Sequence, residues 1–218
     1  MYQISAFYQH PRDPAAFDDY VITEYSRIAA RIPGLIHLTL NWPQPGDNGS
    51  TPPFHLVSLM YWEDKDAVGA ALAGPAAVQA ADGASKFLDT RPLVIHAEGP
   101  AKVPFVLLAP GTPGEIRSIL GLYAVPRDPA GFDEHYRNVH SELAAKMPGL
   151  AGFTVSWTEA APDGTRAPYY LIGVQEWPTQ DSLDMALSSP ETEAAIADLD
   201  NFADAGMSML LCRSTRVV

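Results

Sequence analysis

The amino-acid sequence repeats itself at an interval of 115 residues, without a gap. The segment 8–18 (YQHPRDPAAFD) lies over 123–133 (YAVPRDPAGFD), and further shared positions follow in the same order. They include Pro33-Gly34-Leu35 over Pro148-Gly149-Leu150, Trp42 over Trp157, Trp62 over Trp177 and Phe87 over Phe202. Two copies are too few for a solenoid, whose repeats need several neighbours to bury their faces. The pattern instead predicts a fused dimer. Its two related domains are expected at 1–99 and 115–218, with a Pro- and Gly-rich linker at 100–114.

Composition and charge exclude several classes of protein. The 218 residues carry a net charge of -12, whereas binding to nucleic acid or to anionic membranes needs clustered Lys and Arg. The apolar runs are shorter than the roughly 20 residues of a membrane-spanning helix, and the N-terminus lacks the pattern of a signal peptide. Cys212 is the single cysteine, which fits a reducing compartment. We therefore expect a cytoplasmic protein without a nucleic-acid or membrane partner.

Each half has the element pattern β-α-β-β-α-β. The pairs Asp13-Pro14 and Asp128-Pro129 are typical of a helix start, with Asp as the N-cap and Pro in the first turn. The later helical stretch of each half is expected to break at Pro75 and at Pro190. This pattern is that of a ferredoxin-like unit, a four-stranded antiparallel sheet with helices on one face. Because the other face must be covered, the predicted fold is α+β. Two ferredoxin-like βαββαβ repeats pack their antiparallel sheets into a pseudo-dimeric α/β barrel.

The segment 132–150 (FDEHYRNVHSELAAKMPGL) combines an aromatic-rich helix with a histidine eight residues before Pro148-Gly149-Leu150. It resembles the EthD-like segment of the dimeric α/β-barrel superfamily, and the resemblance covers most of each half. This superfamily and its relatives include polyketide cyclases, lactone isomerases, cofactor-independent monooxygenases of aromatic substrates and accessory proteins of degradation operons. The resemblance implies the fold given above but leaves the reaction open, because one fold hosts many functions.

The histidine of the family corresponds to His140, and the equivalent position in the first half is Tyr25. We therefore expect the catalytic site in the second half, with His140 as proton donor or acceptor. A buried histidine that is satisfied by a carbonyl group is the alternative interpretation. The candidate substrate-binding residues lie on the same helix, at a strand end or on the neighbouring strands: Tyr136, Tyr123, Trp157, Val139, Gln175 and Leu143.

His135 precedes His140 by five residues, which on an α-helix turns the two side chains about 140° apart. The two would not share a metal ion in the i, i+4 manner of a zinc helix, and we expect His135 at the rim or in solvent. The sequence also lacks a Gly-rich dinucleotide motif, a P-loop, a nucleophile elbow and a spaced metal-ligand cluster. We therefore expect neither a metal site nor a bound cofactor.

Three functional hypotheses follow. The first is a cofactor-independent enzyme that acts on a hydrophobic aromatic or polyketide-like small molecule through histidine acid–base chemistry. It would be a cyclase or dehydratase, an isomerase, or a cofactor-free monooxygenase. The second is a non-catalytic small-molecule-binding accessory protein of a catabolic or biosynthetic operon. The third, implied by relatives of the family, is a haem protein with His140 as the axial ligand. Association of two such chains into a homodimer is also left open.

Overall fold

The structure is a computed structural model that describes residues 1–46, 49–99 and 114–218. The predicted linker at 100–114 lies outside the described residues, apart from Gly114, which begins a strand. The chain divides into two compact units. The first consists mainly of Met1–Glu98 and the second mainly of Glu115–Arg213. Within the described ranges, no helix is long and apolar enough to cross a membrane.

The first unit has the predicted order of elements. Its strands β1 to β4 are Tyr2–Tyr8, His37–Pro43, Leu56–Trp62 and Leu93–Glu98. Its helices α1 to α4 are Pro14–Tyr20, Ser26–Ala29, Lys65–Leu72 and Pro75–Ser85. A π-helical segment at Val21–Tyr25 connects α1 to α2. The strands are ordered β4-β1-β3-β2 and pair antiparallel.

The second unit repeats this arrangement. Its strands β5 to β8 are Gly114–Tyr123, Gly152–Glu159, Leu171–Trp177 and Met207–Arg216. Its helices α5 to α8 are Pro129–His135, Ser141–Ala144, Gln180–Leu187 and Pro190–Asp198. A π-helical segment at Tyr136–His140 connects α5 to α6. The strand order is β8-β5-β7-β6. The register is also repeated, since Tyr8 pairs with Leu56 and Tyr123 pairs with Leu171.

The last residues of the chain differ from the predicted division. Ser214–Val218 belongs to the first unit, although the sequence places these residues in the second repeat. The backbone N–H of Val217 donates to the carbonyl of Leu38 at 2.9 Å, and that of Leu38 donates to Val218 at 3.3 Å. The first unit therefore includes the C-terminal end of the chain.

The predicted helix signals are used in both units. The side chain of Asp13 accepts a hydrogen bond from the backbone N–H of Ala16 at 3.1 Å, and that of Asp128 accepts one from Gly131 at 3.1 Å. Each cap satisfies an N–H group that the helix itself leaves without a partner. The predicted breaks are also confirmed, because α4 and α8 begin with the two prolines.

The π-helical segments are the local feature that the sequence pattern does not predict. In each, a backbone N–H bonds a carbonyl five residues earlier, from Ser26 to Val21 and from Ser141 to Tyr136. Such a turn is wider than that of an α-helix and occurs often at functional sites. In the second unit it includes His140, and it therefore sets the direction in which that side chain points.

Candidate active site

Three side chains from separate elements of the second unit form one chain of hydrogen bonds. The hydroxyl of Tyr123, at the end of β5, lies 3.1 Å from Nε2 of His140. The other ring nitrogen of His140, Nδ1, lies 3.1 Å from Oδ2 of Asp198, the last residue of α8. All three residues are buried, and their exposed fractions are 4%, 5% and 6% respectively. The imidazole is therefore held at both nitrogens, away from bulk water.

Two further side chains fix the carboxylate of Asp198. Its Oδ1 lies 2.8 Å from Nε2 of His135 and accepts a hydrogen bond from the amide of Asn201 at 3.0 Å. Asn201 lies one turn beyond Asp198, in the 3₁₀ turn at Leu199–Asn201. Because both carboxylate oxygens are engaged, Asp198 is held in one orientation, and so is the ring of His140.

His135 and His140 reach the same carboxylate because the helix between them is not a regular α-helix. The π-helical segment spaces its backbone hydrogen bonds by five residues, which brings side chains five apart towards the same face. The predicted separation of the two histidine side chains is therefore wrong, although His135 does lie at the rim. Its side chain is 26% exposed and bonds Asp198.

Asp198 is the anion of this site and His140 is a neutral base. Burial raises the pKa of Asp198, but hydrogen bonds from Asn201, His135 and His140 outweigh burial, and the pKa lies below its ordinary value. Burial lowers the pKa of His140, and the hydrogen bond to Asp198 offsets only part of that effect. Since a carboxylate only accepts hydrogen bonds, Nδ1 of His140 carries the hydrogen and Nε2 has the lone pair. Burial raises the pKa of Tyr123, so its neutral hydroxyl donates to Nε2.

Tyr123 and His140 line a small cavity between the helices and the sheet of the second unit. Its volume is about 60 Å³, enough for roughly four to six water molecules. Of the predicted substrate-binding residues, Tyr136, Tyr123 and Gln175 line it. Two other lining residues, Ile196 and Met209, are 51% and 49% exposed. The cavity therefore reaches the surface through an apolar opening.

Three predicted substrate-binding residues do not line this cavity. Trp157 donates to the carboxylate of Asp133 at 2.6 Å, and the guanidinium of Arg137 lies 3.8 Å from the centre of its ring. Val139 is 40% exposed, because its neighbour His140 points inwards and turns it away. Leu143 is half-buried beside the cavity-lining Ala144. The contacts of Trp157 indicate a structural role in joining β6 to α5.

The comparisons with known proteins point to one family. The model of the EthD domain matches residues 126–206, which lie within the second unit. An uncharacterised 11.0 kDa protein of Rhodococcus erythropolis, from the thcB–thcC intergenic region, is 34% identical over 89 residues. That match covers 41% of this chain and 85% of the relative. An EthD-family protein of Bacillus halodurans is 30% identical, with 44% of this chain and 95% of that chain covered and a TM-score of 0.42. The chain belongs to the EthD family.

The fold of this EthD protein as a whole is also found in a solved structure. An anthrone oxidase-like protein shares the fold with a TM-score of 0.63 at 12% identity, over 99% of this chain and 92% of that one. The predicted family and the predicted fold class, α+β with two ferredoxin-like repeats of the dimeric α/β-barrel superfamily, are both confirmed. At this identity the likeness concerns the fold and leaves the reaction to be argued from the site.

Asp198 is the candidate site residue of this EthD protein that the sequence analysis missed. It lies in an Ala-rich helix far from His140 in sequence, and no motif marks it. A signal was nevertheless available in the repeat, because the position equivalent to Asp198 is Gly83 in the first half. The same comparison distinguishes His140 from Tyr25. His140 and Asp198 are therefore both positions at which the two halves differ.

The residues of this EthD protein do not fit the haem of the third hypothesis. The cavity beside His140 has a volume of about 60 Å³, far below the roughly 300 Å³ or more of pockets for larger ligands. Across residues 1–46, 49–99 and 114–218, there is no group of three or more His, Cys, Asp or Glu residues that could hold a metal ion.

Proposed function

We propose that the second repeat catalyses proton transfer on a hydrophobic small molecule, with His140 as general base and Asp198 as its positioning residue. The observation that carries this proposal is the buried hydrogen-bond chain Tyr123–His140–Asp198 at the wall of an apolar cavity. A neutral imidazole that a carboxylate orients is suited to abstract a proton near neutral pH. A histidine that serves only packing would not need a second ring partner that is itself fixed by two other side chains.

The hydrogen bonds support a separate role for each of the three groups. When a substrate binds, the Tyr123 hydroxyl turns from Nε2 to donate to the substrate oxygen on which negative charge develops. The freed lone pair of Nε2 of His140 then accepts a proton from an acidic carbon or hydroxyl of the substrate. Asp198 stabilises the imidazolium that forms, because its carboxylate already accepts from Nδ1. The ring of Tyr136 packs edge-to-face against that of Tyr123, with ring centroids 5.4 Å apart, and holds the phenol ring in place.

The size of the cavity limits which part of a substrate reaches His140. A volume of about 60 Å³ accepts a reacting edge of a few heavy atoms and not a complete polyketide. The remainder of a larger substrate would lie at the opening, against the exposed side chains of Ile196 and Met209. The proposed substrate is therefore a hydrophobic molecule with one acidic C–H or O–H group at an accessible edge. Cyclisation with dehydration, isomerisation and cofactor-free oxygenation all begin with removal of such a proton.

Anthrone is a suitable probe, because a protein of the same fold is anthrone oxidase-like and because anthrone has acidic C–H bonds opposite its carbonyl. Exchange of these C10 hydrogens for deuterium, followed by NMR under nitrogen, measures proton abstraction without any oxidation. We expect the protein to accelerate exchange above the buffer rate. Replacing His140 by Ala should lower the protein-catalysed rate by about 10²- to 10⁴-fold, the usual contribution of general acid–base catalysis.

The matched control is His10→Ala, since His10 is exposed in the first unit and bonds only the carbonyl of Pro52 among the described residues. This variant should keep the full exchange rate. Protein-catalysed exchange that persists in His140→Ala would remove His140 from the mechanism. Absence of catalysed exchange in the unaltered protein, with anthrone shown to bind, would favour the second hypothesis of a binding protein without turnover.

A further inference from the structure

The first repeat, which lacks the histidine, has a larger cavity than the one beside His140. Its volume is about 610 Å³, against about 60 Å³ beside His140. A volume of this order is typical of pockets that enclose a complete small-molecule ligand. The pocket is formed within the first unit, with Tyr8 and Tyr25 on its wall and α4 along one side.

Small residues on α4 and β4 explain the difference in volume. Ala81 and Ala84 line the first-repeat cavity, whereas the equivalent residues Ile196 and Leu199 line the second. Two more positions follow the same trend: Pro92 and Val94 line the first cavity, Met207 and Met209 the second. Because the two backbones share one register, these exchanges of small for large side chains open the space in the first repeat.

The polar groups inside the first-repeat cavity favour a neutral ligand. The hydroxyl of Tyr8 donates to that of Tyr25 at 3.3 Å. Burial raises the pKa of Tyr8 well above its ordinary value, so the phenol stays neutral. Within the described part of the chain, no acceptor is found for the hydroxyl hydrogen of Tyr25. This hydrogen is available to a ligand in the cavity, because Tyr25 lines the cavity wall and is otherwise buried.

The charged lining residues lie at the outer edge of this cavity. Asp82, Asp89 and Arg91 are exposed, and Asp89 is paired with Arg12 at 3.0 Å. No histidine and no buried carboxylate is found among the lining residues that the structure describes. The interior therefore offers apolar surface and one hydrogen-bond donor, but no base comparable to His140.

We propose that the first repeat binds, without converting it, a neutral polycyclic molecule whose single oxygen accepts a hydrogen bond from Tyr25. The volume admits several fused rings, and the apolar wall matches a hydrocarbon skeleton. A carbonyl or ether oxygen near the Tyr8–Tyr25 pair uses the one available donor. This inference goes beyond the proton-transfer function proposed for the second repeat, which takes only the edge of a substrate.

A matched pair of probes tests the inference. 9-Fluorenone and fluorene share one ring skeleton, and only the first has a carbonyl oxygen. Quenching of tryptophan fluorescence, titrated with each probe, gives two dissociation constants for the full chain. Three variants are compared with the unaltered protein: Tyr25→Phe, the double variant Ala81→Ile/Ala84→Leu, and His140→Ala.

We expect Tyr25→Phe to weaken fluorenone binding about fivefold, the usual effect of one neutral hydrogen bond, and to leave fluorene binding unchanged. The double variant should weaken both probes at least about tenfold, because its side chains fill the cavity as they do in the second repeat. Circular dichroism and the unfolding temperature show whether it is folded. If it is not, the Tyr25→Phe comparison alone decides.

Four results would overturn the inference. The first is the absence of binding of either probe to the unaltered protein. The second is a folded double variant that binds both probes as tightly as the unaltered protein does. The third is an equal effect of Tyr25→Phe on both probes. The fourth is loss of binding in His140→Ala, which would place the probe in the second repeat. The fluorescence titration measures binding and not turnover. A negative result would therefore contradict this inference without contradicting the proposed proton transfer.

Discussion

The two repeats of this protein share a backbone but place different chemistry at equivalent positions. In the second, His140 binds the carboxylate of Asp198. In the first, Tyr25 and Gly83 stand at those positions, and Tyr20 takes the space of the missing side chain. A Cβ atom on Gly83 would overlap the hydroxyl of Tyr20. The first repeat therefore excludes a carboxylate at this point for steric reasons.

The comparison shows that these positions change as a set. Tyr20 is equivalent to His135, so one repeat has a large side chain packed on a glycine, and the other has a histidine bonded to an aspartate. Tyrosine with glycine fills the space, and so does histidine with aspartate. Tyrosine with aspartate would overlap, and histidine with glycine would leave a void. The result is a small cavity with a base in one repeat and a large cavity without one in the other.

Features that both repeats retain have a structural explanation. Trp42 donates to Asp18 at 2.8 Å in the first repeat, and Trp157 donates to Asp133 at 2.6 Å in the second. These bonds join α1 to β2 and α5 to β6. Retained side chains thus hold the common scaffold, and the proposed site lies where the repeats differ.

The largest expected effect comes from giving the second repeat the side chains of the first. The double variant His135→Tyr/Asp198→Gly should lose about 10²- to 10⁴-fold of the anthrone exchange rate, because His140 loses the carboxylate that orients it. NMR-monitored exchange measures the loss. If the double variant remains folded and keeps its rate, Asp198 does not position the base.

The single variants test whether these two positions depend on each other. Asp198→Gly alone leaves a void beside His140, and the tyrosine of the double variant should fill it, as Tyr20 does against Gly83. We expect a coupling of about 0.5–3 kcal/mol in the free energy of unfolding, as for residues in contact. Urea unfolding of the two single variants and the double variant gives this value. Additive effects would contradict the view that the positions change as a set.

The shared tryptophan–aspartate bonds should be equally important in both repeats. Trp42→Phe and Trp157→Phe each remove a donor to a carboxylate, and we expect each to lower the free energy of unfolding by about 1.5–3 kcal/mol. Urea denaturation measures both. A loss confined to Trp157→Phe would show that this bond serves the active site and not the common scaffold.

Most of the fold was predictable from the sequence because its determinants are local. The Asp-Pro pairs predicted the starts of α1 and α5, and Pro75 and Pro190 predicted the breaks before α4 and α8. The π-helical segments were not predictable in the same way. No residue type in these segments signals the wider turn, so the spacing of apolar residues indicated a regular α-helix.

The candidate active site was predictable only in part for the same reason. His140 was found through its resemblance to the EthD segment, whereas the contact of His135 with Asp198 was missed because regular α-helix geometry was assumed. Asp198 meets His140 through the packing of α8 against α6, and such a contact between distant segments has no local signal. Comparison of the two halves at Gly83 and Asp198 was the one route to it from sequence.

The pH dependence of the exchange rate separates two effects on the pKa of His140, that of burial and that of the hydrogen bond to Asp198. Burial lowers the pKa of His140, and Asp198 raises it in part. The exchange rate should therefore rise with pH around a midpoint below the ordinary value of 6.5 for histidine. In Asp198→Asn the midpoint should lie lower still, because burial remains and the carboxylate is gone. NMR titration of the His140 ring gives both midpoints. A higher midpoint in Asp198→Asn would show that burial is not the main cause.

The same shift has a consequence for stability. A histidine whose pKa is lower in the folded state binds fewer protons there than in the unfolded chain. Its contribution to the free energy of unfolding is therefore complete above about pH 6.5 and decreases as the pH falls towards the pKa of the folded state. Urea unfolding between pH 5 and 8 should show the decrease in the unaltered protein and a smaller one in His140→Phe.

The smallest expected effect concerns the helix starts, where the repeats do not differ. The side chains of Asp13 and Asp128 each accept a hydrogen bond from a backbone N–H of the first turn, at the same distance of 3.1 Å. Both side chains are exposed. Asp13→Ala and Asp128→Ala should each lower the free energy of unfolding by about 1 kcal/mol, the usual value of an N-cap. Asp13→Asn and Asp128→Asn are the controls, since asparagine caps equally well. If only Asp128→Ala lowers the free energy of unfolding, the two repeats differ in the stability of their scaffolds as well as at the candidate site. Equivalent backbones would then not imply equal contributions to stability.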